Sequence, residues 1–324
     1  MKAILDRIPH LHIGVMGDIM LDHYLWGEVS RISPEAPVPI LEAHRDSYSL
    51  GGAANVARNL RAIGAQVTLI GTTGEDEPGE RIAGLLADEA ITLPSFCRCT
   101  GLASMVKTRI LARHQQLCRV DREDNPDRYT LLGQTDPDTI RAALEGIDAL
   151  ILSDYGKGTL TAPLIEIIQE MEIPLLSMDP KPRRRLEHRG MDLITPNRGE
   201  ALVLAGLSPE YGAAFPSEEV CRRIWEAHRP RLLAITLGAE GMLLSREGRI
   251  DQHLPTSARE VFDVSGAGDT VIATLTAALA AGAEWTEAAA FANLAAGVVV
   301  AKIGAAVAQP EEILKQGLSS HGEA

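Results

Sequence analysis

The chain has 324 residues, 45% of them hydrophobic and 23% charged, enough to bury a large α/β core. Its formal net charge of −13 and pI of about 5.2 argue against nucleic acid or an anionic membrane as the main partner. An anionic small molecule is still allowed, because it needs only a local basic pocket.

Taken in chain order, short apolar runs alternate with longer helical patterns. Residues 13–17 read as a first strand that runs into Asp18. Residues 23–48 break the rhythm with Tyr24, Trp26, three prolines (Pro34, Pro37 and Pro39) and an apolar stretch at 38–41. A helix near 52–63 follows the double glycine Gly51-Gly52. A strand at 67–71 and a helix near 79–90 come next, then a second excursion at 102–121 with β-prone runs at 105–112 and 117–121. The alternation then resumes. Helices are predicted near 136–145, 161–171, 199–206 and 217–228, and strands at 149–153, 175–179, 193–195 and 232–236. Helices near 267–281 and 286–301 follow, and the polar tail after Gln316 reads as frayed.

This pattern predicts an α/β fold with a mostly parallel central sheet, helices on both faces and a small β-strand lid built from segments 23–48 and 102–121. The apolar lid strands also suit pairing of two copies into a homodimer. Ligands in such sheets gather at the carboxyl ends of the strands. Asp18, Asp154, Asp179 and Asn197 all fall just after strand-like runs and are expected to converge there.

Cys97, Cys99, Cys118 and Cys221 show neither a C-x-x-C pair nor a zinc spacing and read as reduced thiols of a cytoplasmic enzyme. The first seven residues are broken by charge too early for a signal peptide. The apolar run 291–308 contains Lys302 and many small residues, so it reads as a buried helix region and not a membrane span.

The most informative stretch is Asp263-Val264-Ser265-Gly266-Ala267-Gly268-Asp269-Thr270, at the start of a small-residue helix. Two glycines and a helix N-terminus can gather backbone N–H groups around an anion. An ordinary glycine-rich helix start is the competing reading. Asp269 would repel a resting phosphate, so its presence suggests a base for phosphoryl transfer to a hydroxyl. The corner is neither a Walker A loop nor a dinucleotide fingerprint.

Other segments are individually ambiguous. Gly51 and Gly52 allow close backbone approach, with Asn55 on the first helical turn able to bond a sugar hydroxyl, or they form a tight turn. Asp18 could accept bonds from vicinal hydroxyls. In Thr195-Pro196-Asn197-Arg198-Gly199-Glu200, Asn197 and Glu200 suit Mg²⁺ through oxygen ligands or a helix cap, and the two roles can coexist. Arg109, Arg113 and Lys157 could meet a substrate phosphate. Lys181, Arg183, Arg184 and Arg185 read either as nucleotide-phosphate contacts or as a solvated face. His10, His12, His114 and His188 show no ligand spacing.

Together, the early double glycine with Asn55, the central Thr-Pro-Asn-x-x-Glu and the late Asp-x-x-Gly-Ala-Gly-Asp resemble the ribokinase-like (phosphofructokinase-B type) carbohydrate kinases over nearly the whole chain. A second set is similar to the bacterial D-glycero-D-manno-heptose 7-phosphate kinases of lipopolysaccharide core and ADP-heptose synthesis. It comprises Ser30-Arg31-Ile32-Ser33-Pro34-Glu35-Ala36-Pro37-Val38-Pro39, Gln115-Gln116-Leu117, Leu152-Ser153-Asp154-Tyr155 and Lys157-Gly158. The resemblance implies an ATP- and Mg²⁺-dependent kinase acting on a sugar phosphate, read as one kinase domain over residues 1–324 in a stand-alone form without a nucleotidyltransferase domain.

It also implies site roles. Asp269 would be the base, with an anion hole from Gly266, Ala267 and Gly268. Asn197, Glu200, Thr236, Gly238 and Asn293 would line the nucleotide site, and Asn197 and Glu200 would hold Mg²⁺ partly through water. Asp18, Gly51, Gly52, Asn55, Arg109, Asp154 and Lys157 would face the sugar. Asp263 falls where relatives carry a potassium loop. A kinase of another sugar phosphate and a catalytically silent phosphosugar-binding protein are the alternatives.

Overall fold

The computed structural model describes residues 1–113, 115–182, 186, 189–208, 214–258, 261–302 and 304–321. Arg183, Arg184, Arg185, His114 and His188 lie outside the described residues. The chain begins with α1 (Lys2–Arg7) and β1 (His12–Gly17), then the long hairpin β2 (Ile19–Ile32) and β3 (Pro39–Gly52), and α2 (Ala53–Ala62). β4 (Gln66–Ile70), α3 (Glu77–Asp88) and a two-residue pair, β5 (Thr73–Gly74) with β6 (Arg98–Cys99), lead to the second hairpin, β7 (Met105–Ala112) and β8 (Gln115–Arg122). α4 (Pro137–Ala143), β9 (Ala149–Ser153), α5 (Ala162–Gln169), β10 (Leu176–Asp179), β11 (Leu193–Ile194), α6 (Arg198–Leu204), α7 (Ser217–His228) and β12 (Leu232–Thr236) continue the alternation. β13 (Met242–Arg246), β14 (Arg249–Leu254), α8 (Ala267–Ala280), α9 (Trp285–Val300) and α10 (Pro310–His321) complete it.

The main sheet has the order β14-β13-β12-β11-β10-β9-β1-β4, parallel from β4 to β12 with an antiparallel β12-β13-β14 edge. Alternate residues of each parallel strand feed opposite cores, as the two-residue pleat requires. Ile151 joins the layer formed by α2, α8 and α9, whereas Leu150 and Leu152 join the layer formed by α4, α5, α6 and α7. Both faces are covered, which is why these strands are nearly continuous apolar runs. α8 is buried on every side from Asp269 to Ala278, and its small residues let it lie between sheet and α9.

The lid is a separate four-stranded sheet, β3-β2-β7-β8. It starts earlier than the sequence suggests, at Ile19 and not near residue 23. Asp18 alone separates β1 from β2, so the chain passes from the active edge of the main sheet straight into the lid. It returns at Gly52, where β3 hands over to α2. Gly52 takes φ +60°, and a Cβ there would sit 2.3 Å from the carbonyl oxygen of Asp18. The joint therefore needs glycine for both torsion and space.

The sequence reading missed the β13–β14 hairpin, whose turn places Glu247 (φ 49°) and Gly248 (φ 75°) in the left-handed region that two-residue hairpin turns require. It also missed α1, and it frayed the tail too soon, because α10 continues to His321. The buried Ile313 anchors that helix to the core.

Gly52→Ala is expected to destabilise the protein by about 2 kcal/mol or more, from a left-handed alanine and a backbone collision. Urea denaturation checks this, and a midpoint equal to the parent's would show that the joint relaxes freely.

Candidate active site

Two helices start at the same place. α2 follows Gly52 and α8 follows Gly266, which takes φ +79° as the N-cap. Each helix carries its key polar side chain at the third position, Asn55 on α2 and Asp269 on α8. The Asn55 Nδ2 donates to Asp269 Oδ2 at 2.6 Å, and the Tyr155 hydroxyl donates to Oδ1 at 2.5 Å. Asn59 and Thr270 repeat the bond between the helices one turn deeper, at 2.8 Å. Only 8% of Asp269 is exposed.

Burial pushes the Asp269 carboxyl up to about 6. The hydrogen bonds from Tyr155 and Asn55 oppose that rise, Asp22 adds to it, and Lys107 reduces it. The carbonyl oxygen of Asn55's amide, Oδ1, is buried without a hydrogen-bond partner among the described residues, so this side chain still offers an acceptor to an incoming hydroxyl.

At the α8 N-terminus, the N–H of Ala267 is turned to the Val264 carbonyl at 3.3 Å. That removes Ala267 from the expected set of anion donors. The N–H groups of Gly266 and Gly268 make no such bond among the described residues. Asp263 holds the approach to this turn, accepting from the N–H of Ser265 at 2.9 Å and of Gly304 at 3.1 Å. Burial works against the Asp263 carboxylate, but these bonds carry its pKa below the usual carboxylate value.

Asp18 is a correction. The sequence put it on the sugar face, but it is fully buried, and its carboxylate accepts from the N–H groups of Tyr155, Lys157 and Thr159 at 2.9, 3.0 and 3.0 Å. It fixes the 155–159 loop from beneath. Asp154 acts alike, accepting from the N–H of Gly156 at 2.7 Å and of Lys181 at 3.3 Å.

The carboxylate that faces the cleft is Asp22. It pairs with Arg109 at 2.5 Å, and a Cβ on Gly51 would meet its Oδ2 at 2.6 Å. Gly51 is thus the space that Asp22 fills.

The lid supplies a cationic face. β2 and β7 place Asp22 beside Lys107 and Tyr24 beside Arg109, while β8 sets Arg119 opposite Arg109. The Lys107 Nζ stands 5.2 Å from the centre of the Tyr155 ring, and no ion pair engages it among the described residues. Burial lowers its pKa, Asp22 opposes that, and Lys157, Arg119 and Arg109 lower it further. Lys157 joins this group but is held by Glu123 at 2.6 Å. Arg113 does not join it: it lies at the exposed tip of the β7–β8 hairpin, 3.8 Å from Glu28.

The second group lies at the ends of β10, β11 and β12. Asn197 and Glu200 form a reciprocal capping box on α6, with bonds of 3.0 and 2.9 Å. Glu200 also pairs with Lys181 at 2.7 Å. Thr236 bridges to Asn197, and Gly238 turns the chain just beyond with φ +63°. Asn293 on α9 donates to the Pro255 carbonyl at 2.7 Å. Asp179 links the two groups. Burial first, then Glu200, Asp269 and Asp154, drive its pKa well above the ordinary carboxylate value against the pull of Lys181.

A desolvated carboxylate of raised pKa in the first turn of a helix can accept a proton from a bound hydroxyl. The model of the pfkB family carbohydrate kinases matches residues 11–312. The chain belongs to that family. Its fold is that of the solved sugar kinases.

Arabidopsis thaliana ribokinase complexed with ribose and ATP superposes with a TM-score of 0.74 at 19% identity, over 94% of this chain and 98% of that one. Escherichia coli phosphofructokinase-2, in complex with substrates and products, gives 0.75 at 18% identity, over 96% and 99%. Among curated proteins, a bifunctional protein HldE of Pseudomonas fluorescens is 44% identical over 322 residues. The match takes in 96% of this chain but 65% of that relative's length. No described helix is long and apolar enough to cross a membrane.

Sequence reasoning missed Asp22, Lys107 and Tyr155. Lys107 had a signal, since it stands two residues before Arg109 in a β-prone run and so shares its face. Asp22 lay in the same Gly-Asp-Ile-Met-Leu-Asp segment as Asp18. Only the turn of the chain after β1 decides which of the two looks outward.

Asp18→Asn is expected to cost about 2 kcal/mol of stability, because three N–H groups lose a charged acceptor. Thermal unfolding reads this out. An unchanged Tm with a raised KM would return Asp18 to the sugar face.

Proposed function

We propose that the protein transfers the γ-phosphoryl group of ATP to the C1 hydroxyl of D-glycero-D-manno-heptose 7-phosphate, giving heptose 1,7-bisphosphate and ADP. The observation that carries the phosphosugar reading is the cation group of Lys107, Arg109, Arg119 and Lys157 on and beside the lid. In a chain of net charge −13, Arg109, Arg119 and Lys157 are paired with Asp22, Asp121 and Glu123, and burial first, then these neighbouring cations, lower the pKa of Lys107, so a ligand phosphate has Lys107 as its direct partner in a cation-rich setting. The heptose assignment rests on the resemblance of the 30–39 segment and is supported by the similarity to a bifunctional protein HldE.

Asp269 is the proposed base. Its carboxylate takes the proton of the acceptor hydroxyl while that oxygen forms a bond to the γ-phosphorus. The bond from phosphorus to the bridging oxygen breaks, and its electron pair leaves with ADP. The N–H groups of Gly266 and Gly268 and the α8 dipole stabilise charge on the transferring group. Asp22 and the free acceptor of Asn55 orient the sugar hydroxyls, and closure of the lid keeps water out.

The nucleotide is assigned to the side of α8 that faces Asn197, Thr236, Gly238 and Asn293. Among the described residues no group of three or more His, Cys, Asp or Glu side chains forms a metal cage. The acidic crowding of Asp179, Glu200 and Asp154 nonetheless fits a divalent cation, so Glu200 and Asn197 would hold Mg²⁺ through water and nucleotide phosphates. Bound there, Mg²⁺ supplies charge neutralisation on the phosphates. Both oxygens of Asp263 are engaged, and no step is assigned to potassium. The exposed Ile32, Val38 and Val120 of the lid support pairing of two copies through that sheet.

An ADP-release assay with heptose 7-phosphate, unphosphorylated heptose and hexose phosphates tests the substrate. Heptose 7-phosphate is expected to give the highest kcat/KM, and a better hexose phosphate would overturn the assignment. Asp269→Asn is expected to lower kcat by about 10²–10⁴-fold. Because the base must be ionised, turnover of the parent enzyme falls as pH drops through about 6, and a flat rate down to pH 5 would contradict the role. Lys107→Ala is expected to raise KM for the phosphosugar by about tenfold or more and to leave KM for ATP nearly unchanged, in steady-state kinetics.

A further inference from the structure

We infer that Tyr155 is a positioning residue for the reaction, a hydrogen-bond donor that aims the Asp269 carboxylate and keeps it ionised in a desolvated site. The inference rests on Asp269 as the base.

Three observations carry it. The phenol hydroxyl donates to Asp269 Oδ1 at 2.5 Å, while Asn55 holds the other oxygen at 2.6 Å. With one oxygen tied from the β9 loop and the other from α2, the plane of the carboxylate is fixed by two elements outside its own helix. The phenol also stays protonated, so it can donate at every working pH. Burial and the surrounding carboxylates Asp269, Asp179 and Asp22 keep its proton on far beyond neutral pH. Finally, the tyrosine itself is anchored. Its backbone N–H donates to buried Asp18, and its ring lies under Lys107 at 5.2 Å. The loop that Asp18 holds from beneath thus serves to deliver one hydroxyl to the base.

The titratable groups around Asp269 come from four other elements: Asp22 on β2, Lys107 on β7, Asp179 on β10 and the neutral Tyr155 after β9. Asp22 and Asp179 disfavour ionisation. Lys107 favours it, but a substrate phosphate would compete for that cation. Tyr155 and Asn55 are the supports that a phosphosugar would leave in place. Each oxygen of a carboxylate accepts along two directions, so Oδ1 can hold Tyr155 and still receive the acceptor hydroxyl.

The test is the pH profile of kcat/KM for Tyr155→Phe, which keeps the ring and deletes the donor. A hydrogen bond to a charged acceptor is worth roughly one to two pH units in the acceptor's ionisation. The acid limb is therefore expected to move up by about one pH unit from its position near 6. Replacement of Tyr155 by 3-fluorotyrosine, a stronger donor of the same shape, is expected to move the limb down. Uniform loss of activity with both limbs unmoved would reduce Tyr155 to packing and overturn the inference. Opposite shifts of the two variants cannot come from packing. Asp269→Asn separates the levels: if it stays active, the base assignment fails, and if it is dead while the Tyr155 limbs do not move, only the role of Tyr155 fails.

Discussion

The side chains of Asn55 and Asp269 meet 2.6 Å apart across the first turns of two helices, and the surrounding fold is arranged around that contact. Each helix follows a glycine in the left-handed region, Gly52 at φ +60° and Gly266 at φ +79°. Each glycine lets the chain turn so sharply that the third helical residue faces the other helix. A Cβ at Gly266 would come within 2.9 Å of the Asn55 amide nitrogen, so the approach itself depends on the missing side chain. The Asn59–Thr270 bond one turn deeper keeps the two helices in register. The result is a carboxylate beside a helix N-terminus, the position where backbone dipoles favour an anion.

That position is costly. Burial raises the Asp269 pKa, so its ionised form opposes folding. For a carboxylate whose folded pKa lies above its unfolded one, the stabilising contribution is present at low pH and is lost as pH rises through the folded value. The protein therefore gives up stability near neutral pH, where the proposed base has to be ionised. The same tension runs along the cleft, with Asp179 crowded by Glu200, Asp269 and Asp154, and Lys107 by Lys157, Arg119 and Arg109. Like charges brought together in a folded protein point to ligands of opposite charge. Here the two clusters differ in sign, as the proposed binding of a phosphosugar under the lid and a metal-bound nucleotide at the strand ends requires.

Much of this was legible from the residues. The parallel strands were visible as apolar runs because both of their faces are covered. The Asp269 corner and the Asn197–Glu200 cap could be read because turns and caps write local signatures. What failed was of another kind. Asp18 and Asp22 are four residues apart, and which one faces the cleft depends on the single-residue step between the main sheet and the lid. Arg109 and Arg113 are likewise four apart, but Arg109 lies in β7, whereas Arg113 is past the end of that strand in the exposed turn. Ala267 sits in the glycine corner, yet its N–H is turned to Val264. Tyr155 stood only inside the Leu152-Ser153-Asp154-Tyr155 resemblance, with nothing to say what its hydroxyl does, since that depends on a loop held by Asp18 from the joint between β1 and β2. The β13–β14 hairpin was lost for a simpler reason, as its Glu-Gly turn is a weaker marker than Asn-Gly.

Asp269 is a desolvated carboxylate, held ionisable near neutral pH by Tyr155 and Asn55. Carbon-13 NMR of protein labelled at the aspartate carboxyls, with the Asp269 signal assigned by its loss in Asp269→Asn, reads this directly. A titration midpoint at about 6 is predicted. A midpoint near the ordinary aspartate value of about 4 would contradict the account.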